Sequence, residues 1–135
     1  MTYSYSDLNE IKNALSKDYF HDGKICDFNY NNKNKSLSLS LENTYLNKKI
    51  FIQVAGVVSL LSTGFNPWNA DDDTHINCIS ADTSNVLLEM LLKIQPYSNK
   101  IISELWDKLL VLSFQFFSGN ELYIVCKEVD ITKAE

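Results

Sequence analysis

The chain of 135 residues contains no arginine: all 12 of its basic residues are lysines, against 17 Asp and Glu, giving a formal charge of −5. Phosphate groups and guanine edges are recognised largely through the guanidinium fork. The lack of arginine therefore argues against DNA or RNA as a direct ligand. The acidic balance is instead compatible with a cationic protein partner, because net charge acts on association rather than on fold.

Histidine and cysteine are also scarce. The three cysteines (Cys26, Cys78 and Cys126) are odd in number and far apart, which argues against a disulfide framework and predicts small buried thiols within strands. Only His21 and His75 could supply an imidazole base, and no nucleotide-binding, hydrolase or metalloprotease motif is present. We therefore predict no catalytic, cofactor-binding or metal-ligating residues and no enzymatic activity.

Long apolar runs are missing as well. No segment approaches the roughly 18 apolar residues that a membrane span requires, and the first residues lack the pattern of a signal peptide. No repeat, low-complexity tract or linker divides the chain. We expect a cytoplasmic protein without membrane contact, folded as a single domain over residues 1–135.

The pattern of apolar residues predicts an α+β protein. Leu8, Ile11, Leu15 and Tyr19 recur at helical spacing, which predicts an N-terminal helix of about three turns that is closed by a turn at residues 20–23, with Gly23 supplying a positive φ. Helical spacing also allows one or two further helices. They fall at residues 85–95 and 101–109.

Alternation of apolar and polar residues predicts the strands. Residues 26–30 and 36–41 form a predicted hairpin, and the nearly continuous apolar segment 49–58 is typical of a central strand covered on both faces. Further predicted strands are residues 75–79, 110–117 and 121–126, with Val129 and Ile131 extending the last of them. The expected fold is one antiparallel sheet of about five or more strands, an N-terminal meander plus a C-terminal hairpin, with helices on one side.

Residues 59–73 lose this regularity and predict an exposed loop. Within it an aromatic pair lies beside three adjacent carboxylates, the combination that a protein-binding patch needs to anchor and steer a cationic partner. The predicted partner-binding residues are Phe65, Trp68, Asp71, Asp72, Asp73 and Asp82. In the alternative interpretation Trp68 packs into the core and the aspartates form a solvated turn or a helix cap.

The order of these features resembles that of small bacterial immunity proteins of polymorphic toxin and contact-dependent growth inhibition systems. The likeness lies in the helix that ends at residues 20–23, the strand opening at Ile25, Gly56 and Val57 after the meander, and the closing segment 116–124. It implies a cytoplasmic antidote that binds a cognate toxin domain, often a basic nuclease, and occludes its active site. Such proteins have no catalytic residues that could be carried over to this sequence, and we slightly favour a monomer.

Two other functions are compatible with the sequence. An amphipathic N-terminal helix and the Asp-Gly-x-x-Cys start of a strand at residues 22–26 are similar in outline to a type III secretion chaperone, which would form a homodimer and bind an extended effector segment. An unrecognised enzyme or small-ligand binder would be built on His21, Asp22 and His75. A zinc site of His75, Cys78 and either His21 or Asp22 lacks the closely spaced ligand pairs typical of structural zinc.

Overall fold

The structure is a computed structural model that describes residues 1–17, 20–62, 75–83 and 109–134. Its elements, in chain order, are β1 Thr2–Ser4, α1 Leu8–Leu15, β2 Lys24–Asn31, β3 Ser36–Asn43, β4 Lys48–Ala55, β5 Ser59–Ser62, β6 Ile76–Asp82, β7 Leu110–Phe116, β8 Glu121–Cys126 and β9 Glu128–Ala134. The mainly antiparallel fold with its N-terminal helix agrees broadly with the predicted α+β class. Within the described residues α1 is the only α-helix.

The strands form two antiparallel sheets rather than the single sheet predicted. One has five strands in the order β1-β9-β4-β3-β2, and the other has four in the order β5-β8-β7-β6. The main hydrophobic core draws side chains from both sheets and from α1. Two layers bury apolar faces that a single sheet with one helix would leave largely in water.

The predicted β2–β3 hairpin and the following meander are confirmed. Leu37, Leu39 and Leu41 of β3 all face the core, opposite the buried residues of β4. The strand β4 is central in its sheet, as predicted. The prediction that both of its faces are covered is wrong, because Phe51, Gln53 and Ala55 are exposed. Buried and exposed side chains therefore alternate along β4 rather than forming a continuous buried run.

Among the described strands, β7 is buried on both of its faces. Leu112 and Phe114 belong to the main core, whereas Val111, on the opposite face and fully buried, packs in a second cluster with Leu109 and Val125. The predicted hairpin of β7 and β8 is confirmed, with Gly119 at φ +91° in its turn.

A corner at Gly56 and Lys127 joins the two sheets. The chain passes from β4 to β5 on one side and from β8 to β9 on the other, and the Lys127 N–H donates to the Ala55 carbonyl at 3.1 Å. The prediction that Val129 and Ile131 extend the preceding strand is therefore wrong: β9 leaves the sheet of β8 and pairs with β4 and β1. Strands that change sheets do so through such bends.

Two predicted boundaries also change. The predicted loop at residues 59–73 is wrong at its start, where β5 pairs with β8; residues 63–73 lie outside the described part of the chain. So do the two predicted helices, except for the buried Leu109. The predicted strand at residues 75–79 is confirmed as β6.

The N-terminal helix is confirmed but is shorter than predicted. It follows a 3-10 turn at Tyr5–Asp7, and it buries Ile11 and Leu15. The positive φ in the turn after it belongs to Asp22, at +66°, rather than to Gly23. No helix in the described residues is long and apolar enough to cross a membrane.

The cysteines differ in their environments. Cys126 is buried, and burial raises the pKa of its thiol to about 12. Cys26 and Cys78 are exposed, contrary to the prediction, because each lies at or beside a shift in strand register that turns the residue outward. Partial burial and the neighbouring Glu42 carboxylate raise the pKa of Cys26.

Candidate functional site

The outer surface of the five-stranded sheet, here called the open face, is the side of that sheet turned away from the core. Its composition follows from strict alternation, because every second residue of β3 and β4 must point outward. On β3 these residues are Ser36, Ser38, Ser40 and Glu42. The result is a broad surface made mostly of small polar side chains, of which Ser40 is itself buried, with 4% of its surface exposed.

Phe51 is the exception on this surface. It lies on the central strand, with 42% of its surface exposed. In register it is flanked by Ser40 on β3 and by Thr132 on β9, two small neighbours that leave the ring accessible. The Nζ atom of Lys49 lies 5.5 Å from the ring centroid, within the range of a cation–π contact.

Three carboxylates lie around Phe51. Asp27 is one strand beyond Ser40, roughly 10 Å from Phe51 at ordinary strand spacing. Glu42 and Asp130 occupy diagonal positions on the two strands that flank β4. We call these four residues, Phe51, Asp27, Glu42 and Asp130, the acidic aromatic patch.

Local hydrogen bonds orient two of these carboxylates. Asp27 accepts a hydrogen bond from the Ser40 hydroxyl at 3.0 Å. Asp130 accepts hydrogen bonds from the hydroxyls of Thr2 at 2.9 Å and Thr132 at 3.0 Å, and those two contacts chiefly hold its pKa below the ordinary value. Hydrogen bonds to the ionised form favour that form. Asp130 is therefore a fixed negative charge near Phe51.

Chemically, the patch can bind but offers little for catalysis. An exposed aromatic ring supplies apolar area that a partner can desolvate, and carboxylates around it attract and orient a cation. On the whole open face, Asp27, Glu42, Glu128 and Asp130 are opposed by Lys24, Lys49 and the Met1 ammonium, which lies 3.3 Å from Asp130, so four negative charges face three positive ones.

Of the sequence-predicted binding residues, Asp82 alone belongs to the described part of the chain. Phe65, Trp68 and Asp71 to Asp73 lie outside the described residues, and their role stays a prediction. Asp82 is exposed at the end of β6, in the four-stranded sheet, and its carboxylate accepts a hydrogen bond from the Thr83 N–H at 2.7 Å. The fold thus places Asp82 in a different sheet from the patch.

The sequence interpretation of residues 49–58 as a strand buried on both faces misses the acidic aromatic patch. The signal that marks it is the alternation of Ile50, Ile52 and Val54 with Phe51 and Gln53, which indicates one exposed face.

A second group of residues lies where the turn after α1 meets β6. The Asp22 N–H donates to the Ile76 carbonyl at 3.0 Å. The backbones of Lys24 and His75 form an isolated antiparallel β-bridge. His21 contacts the Asn77 carbonyl through Nδ1 at 2.7 Å. Its Nε2 lies 3.7 Å from an Asp22 carboxylate oxygen. The fold therefore brings the region of His21, Asp22 and His75 together.

Metal-binding geometry is not formed by these side chains. Among the described residues, no group of three or more His, Cys, Asp or Glu is placed to hold a metal ion. The Cys78 thiol instead donates to the Gln115 side-chain oxygen at 3.0 Å. The zinc set considered from the sequence is not assembled.

Comparisons with known proteins give little. No protein-family model matches the chain, and no curated protein matches it. Among solved structures it is similar to the crystal structure of an uncharacterized protein from Neisseria gonorrhoeae, at 9% sequence identity and a TM-score of 0.44, covering 97% of this chain and 96% of that one.

Proposed function

We propose that this chain is an immunity protein that neutralises a toxin domain by binding it through the acidic aromatic patch and covering its active site. The observation that carries the proposal is the exposed Phe51 at the centre of an otherwise polar, net acidic sheet face. An aromatic anchor ringed by charge is the arrangement found at the energetic centre of many protein interfaces.

A basic nuclease is the partner class that this surface fits best. Nucleases hold phosphates with positive charge, and Asp27, Glu42 and Asp130 would occupy positions that phosphates otherwise take. The proposal assigns the protein to the cytoplasm of the cell that it protects, as a monomer. It retains the predicted helices at residues 85–95 and 101–109 as part of the α+β fold.

A small-ligand binder is the second candidate, because the fold brings His21 and Asp22 next to the start of β6 at His75. Separate His21→Ala and His75→Ala variants test it. Loss of a binding or catalytic activity in both variants, with intact folding, would favour this candidate over the immunity protein.

The proposal requires that a toxin domain be encoded beside the gene. The direct test is to express the product of the neighbouring gene and to measure its binding by calorimetry and the survival of cells that express it. We expect Phe51→Ala to weaken binding by roughly 30-fold, a typical loss at an interface hot spot. The double variant Asp27→Asn, Glu42→Gln should mainly slow association, and its association rate should depend less on salt than that of the parent.

The matched control is Phe117→Ala. Phe117 is 53% exposed and lies in the other sheet's hairpin turn, so the variant removes an exposed phenylalanine without touching the patch. Binding should stay within about twofold of the parent, as for most residues outside a hot spot. If Asp82→Asn weakens binding while Phe51→Ala does not, the open face is not the interface.

A further inference from the structure

A lysine of the same strand already occupies the ring of Phe51. In register Lys49 lies directly opposite Glu42 on β3, yet no ion pair joins these two described residues, and the Lys49 Nζ atom lies 5.5 Å from the centre of the Phe51 ring. The Glu42 carboxylate instead accepts from the Cys26 thiol at 3.7 Å. The ring face is therefore a place that a cation takes in this fold in preference to a neighbouring carboxylate.

Asp27 differs from the other two carboxylates of the acidic aromatic patch. Asp130 lies 3.3 Å from the N-terminal ammonium, and Glu42 has a lysine opposite it on each neighbouring strand. Asp27 has Ser40 opposite it, and it forms no ion pair with any residue that the structure describes. The Ser40 hydroxyl orients this carboxylate at 3.0 Å without neutralising its charge.

The Phe51 ring and the Asp27 carboxylate lie on either side of Ser40. Ser40 is the cross-strand partner of both residues, and only 4% of its surface is exposed although it points outward. The space between the ring and the carboxylate is therefore filled. A flat group laid on one of these side chains reaches the other.

We propose that Phe51 and Asp27 together receive an arginine side chain of the partner. A guanidinium is planar, so it can stack on an aromatic ring while N–H groups at its edge donate to a carboxylate. An ammonium is a strongly hydrated point charge that serves one of them at a time, as Lys49 does when it takes the ring and leaves Glu42 without an ion pair. The inference rests on the proposed function, since it names the group of the partner that the acidic aromatic patch receives.

Lys49 is then an internal competitor for the ring. The partner's guanidinium displaces the Lys49 ammonium, which is free to pair with Glu42 directly opposite. The chain itself contains no arginine, so a second copy of this protein cannot fill the site. The occupant is a different protein that presents an arginine on its surface.

The test uses two short peptides of equal charge, acetyl-Gly-Arg-Gly-amide and acetyl-Gly-Lys-Gly-amide. Each is titrated into the ¹⁵N-labelled protein up to about 50 mM and followed by NMR, because contacts at an exposed site give affinities in the millimolar range. We expect the arginine peptide to shift the amide signals of Phe51 and Asp27 and to bind about threefold more tightly than the lysine peptide.

Two variants within the site should each weaken binding of the arginine peptide about threefold, the effect of losing one exposed contact. Phe51→Leu keeps apolar bulk but loses the aromatic face. Asp27→Asn keeps an oxygen for the Ser40 hydroxyl but loses the charge. Lys49→Met removes the competitor and should strengthen binding about threefold.

The matched controls are Phe117→Leu, in the hairpin turn of the other sheet, and Lys24→Met, which removes the same charge from the open face two strands away from Lys49. Both should bind the arginine peptide within about 1.5-fold of the parent, because screening weakens the effect of a distant charge. Backbone spectra report whether each variant is folded.

Three results would overturn the inference: no shift with the arginine peptide, equal affinity for the two peptides, or unchanged affinity in both site variants. An equal gain in Lys49→Met and Lys24→Met would also overturn it, because the gain would then be a general effect of charge. The proposed function survives these results if Phe51→Ala still weakens binding of the neighbouring gene's product. A failure of that product to bind, in turn, leaves the peptide result unchanged.

Discussion

Asp130 shows how one residue of the open face is tied to its surroundings. Its carboxylate accepts hydrogen bonds from the hydroxyls of Thr2 and Thr132, and the Met1 ammonium lies 3.3 Å from it. The Thr2 hydrogen bond and the Met1 contact tie the short edge strand β1, and the residue before it, to β9. They also lower the pKa of Asp130, the Thr2 hydrogen bond most of all.

The pH dependence of stability follows from that lowered pKa. Since the folded-state pKa lies below the unfolded-state value of about 3.9, Asp130 stabilises the fold fully above that value and loses this effect as pH falls through the folded-state pKa. We expect Asp130→Asn to cost less than about 1 kcal/mol at neutral pH, because the group is solvent-exposed. Urea unfolding of both proteins between about pH 2 and pH 7 measures the difference, which should shrink toward the acid end. A constant difference over this range would contradict the assignment.

Among the elements, the corner at Gly56 and Lys127 depends most on a single residue type. Gly56 has φ +65°, and a Cβ built there would lie 2.8 Å from Cγ and Cδ of Lys127. A side chain at this position therefore meets both backbone strain and the stem of the lysine across the corner.

Substitution of Gly56 and of Gly119, the two glycines with positive φ among the described residues, separates those effects. Gly119 has φ +91°, but a Cβ added there would have no neighbouring atom within 4 Å, so Gly119→Ala should cost about 1 kcal/mol from backbone strain alone. Gly56→Ala should cost about 2–3 kcal/mol, because crowding adds to strain. Chemical denaturation of the two variants measures both values. Equal losses would mean that the Lys127 stem yields without cost.

The sequence predicts local elements well and their assembly poorly. Alternation over residues 36–41 defines β3 because a strand's two faces are a local property. The division into two sheets depends on the corner, where the inward-facing series Leu122, Ile124 and Cys126 changes phase to Val129 and Ile131. That change of phase is visible in the sequence, but non-local contacts determine the strands with which β8 and β9 pair. The acidic aromatic patch is hidden for the same reason, since it needs β2, β3, β4 and β9 side by side.

At the scale of the whole molecule, the two sheets are connected along both sides. On one side, the chain crosses between the sheets twice at the corner, from β4 to β5 and from β8 to β9. The Lys127–Ala55 and Val58–Val125 backbone hydrogen bonds hold this corner. On the other side, Asp22 and Gly23 exchange backbone bonds with Ile76. Neither sheet can lose its strands without removing hydrogen-bond partners from the other.

We therefore expect the protein to melt in one step. Scanning calorimetry should give a calorimetric enthalpy equal to the van't Hoff enthalpy, the signature of a two-state transition. Amide signals of β3 and β7, which belong to different sheets, should disappear at the same temperature. Two resolved transitions would show that the sheets unfold independently.

This double connection has a consequence for any partner of the open face. Binding to the native state alone raises stability by mass action. Because the strands unfold together, a partner that clamps only the five-stranded sheet would also protect β6, β7 and β8 against heat and proteolysis, although it never touches them.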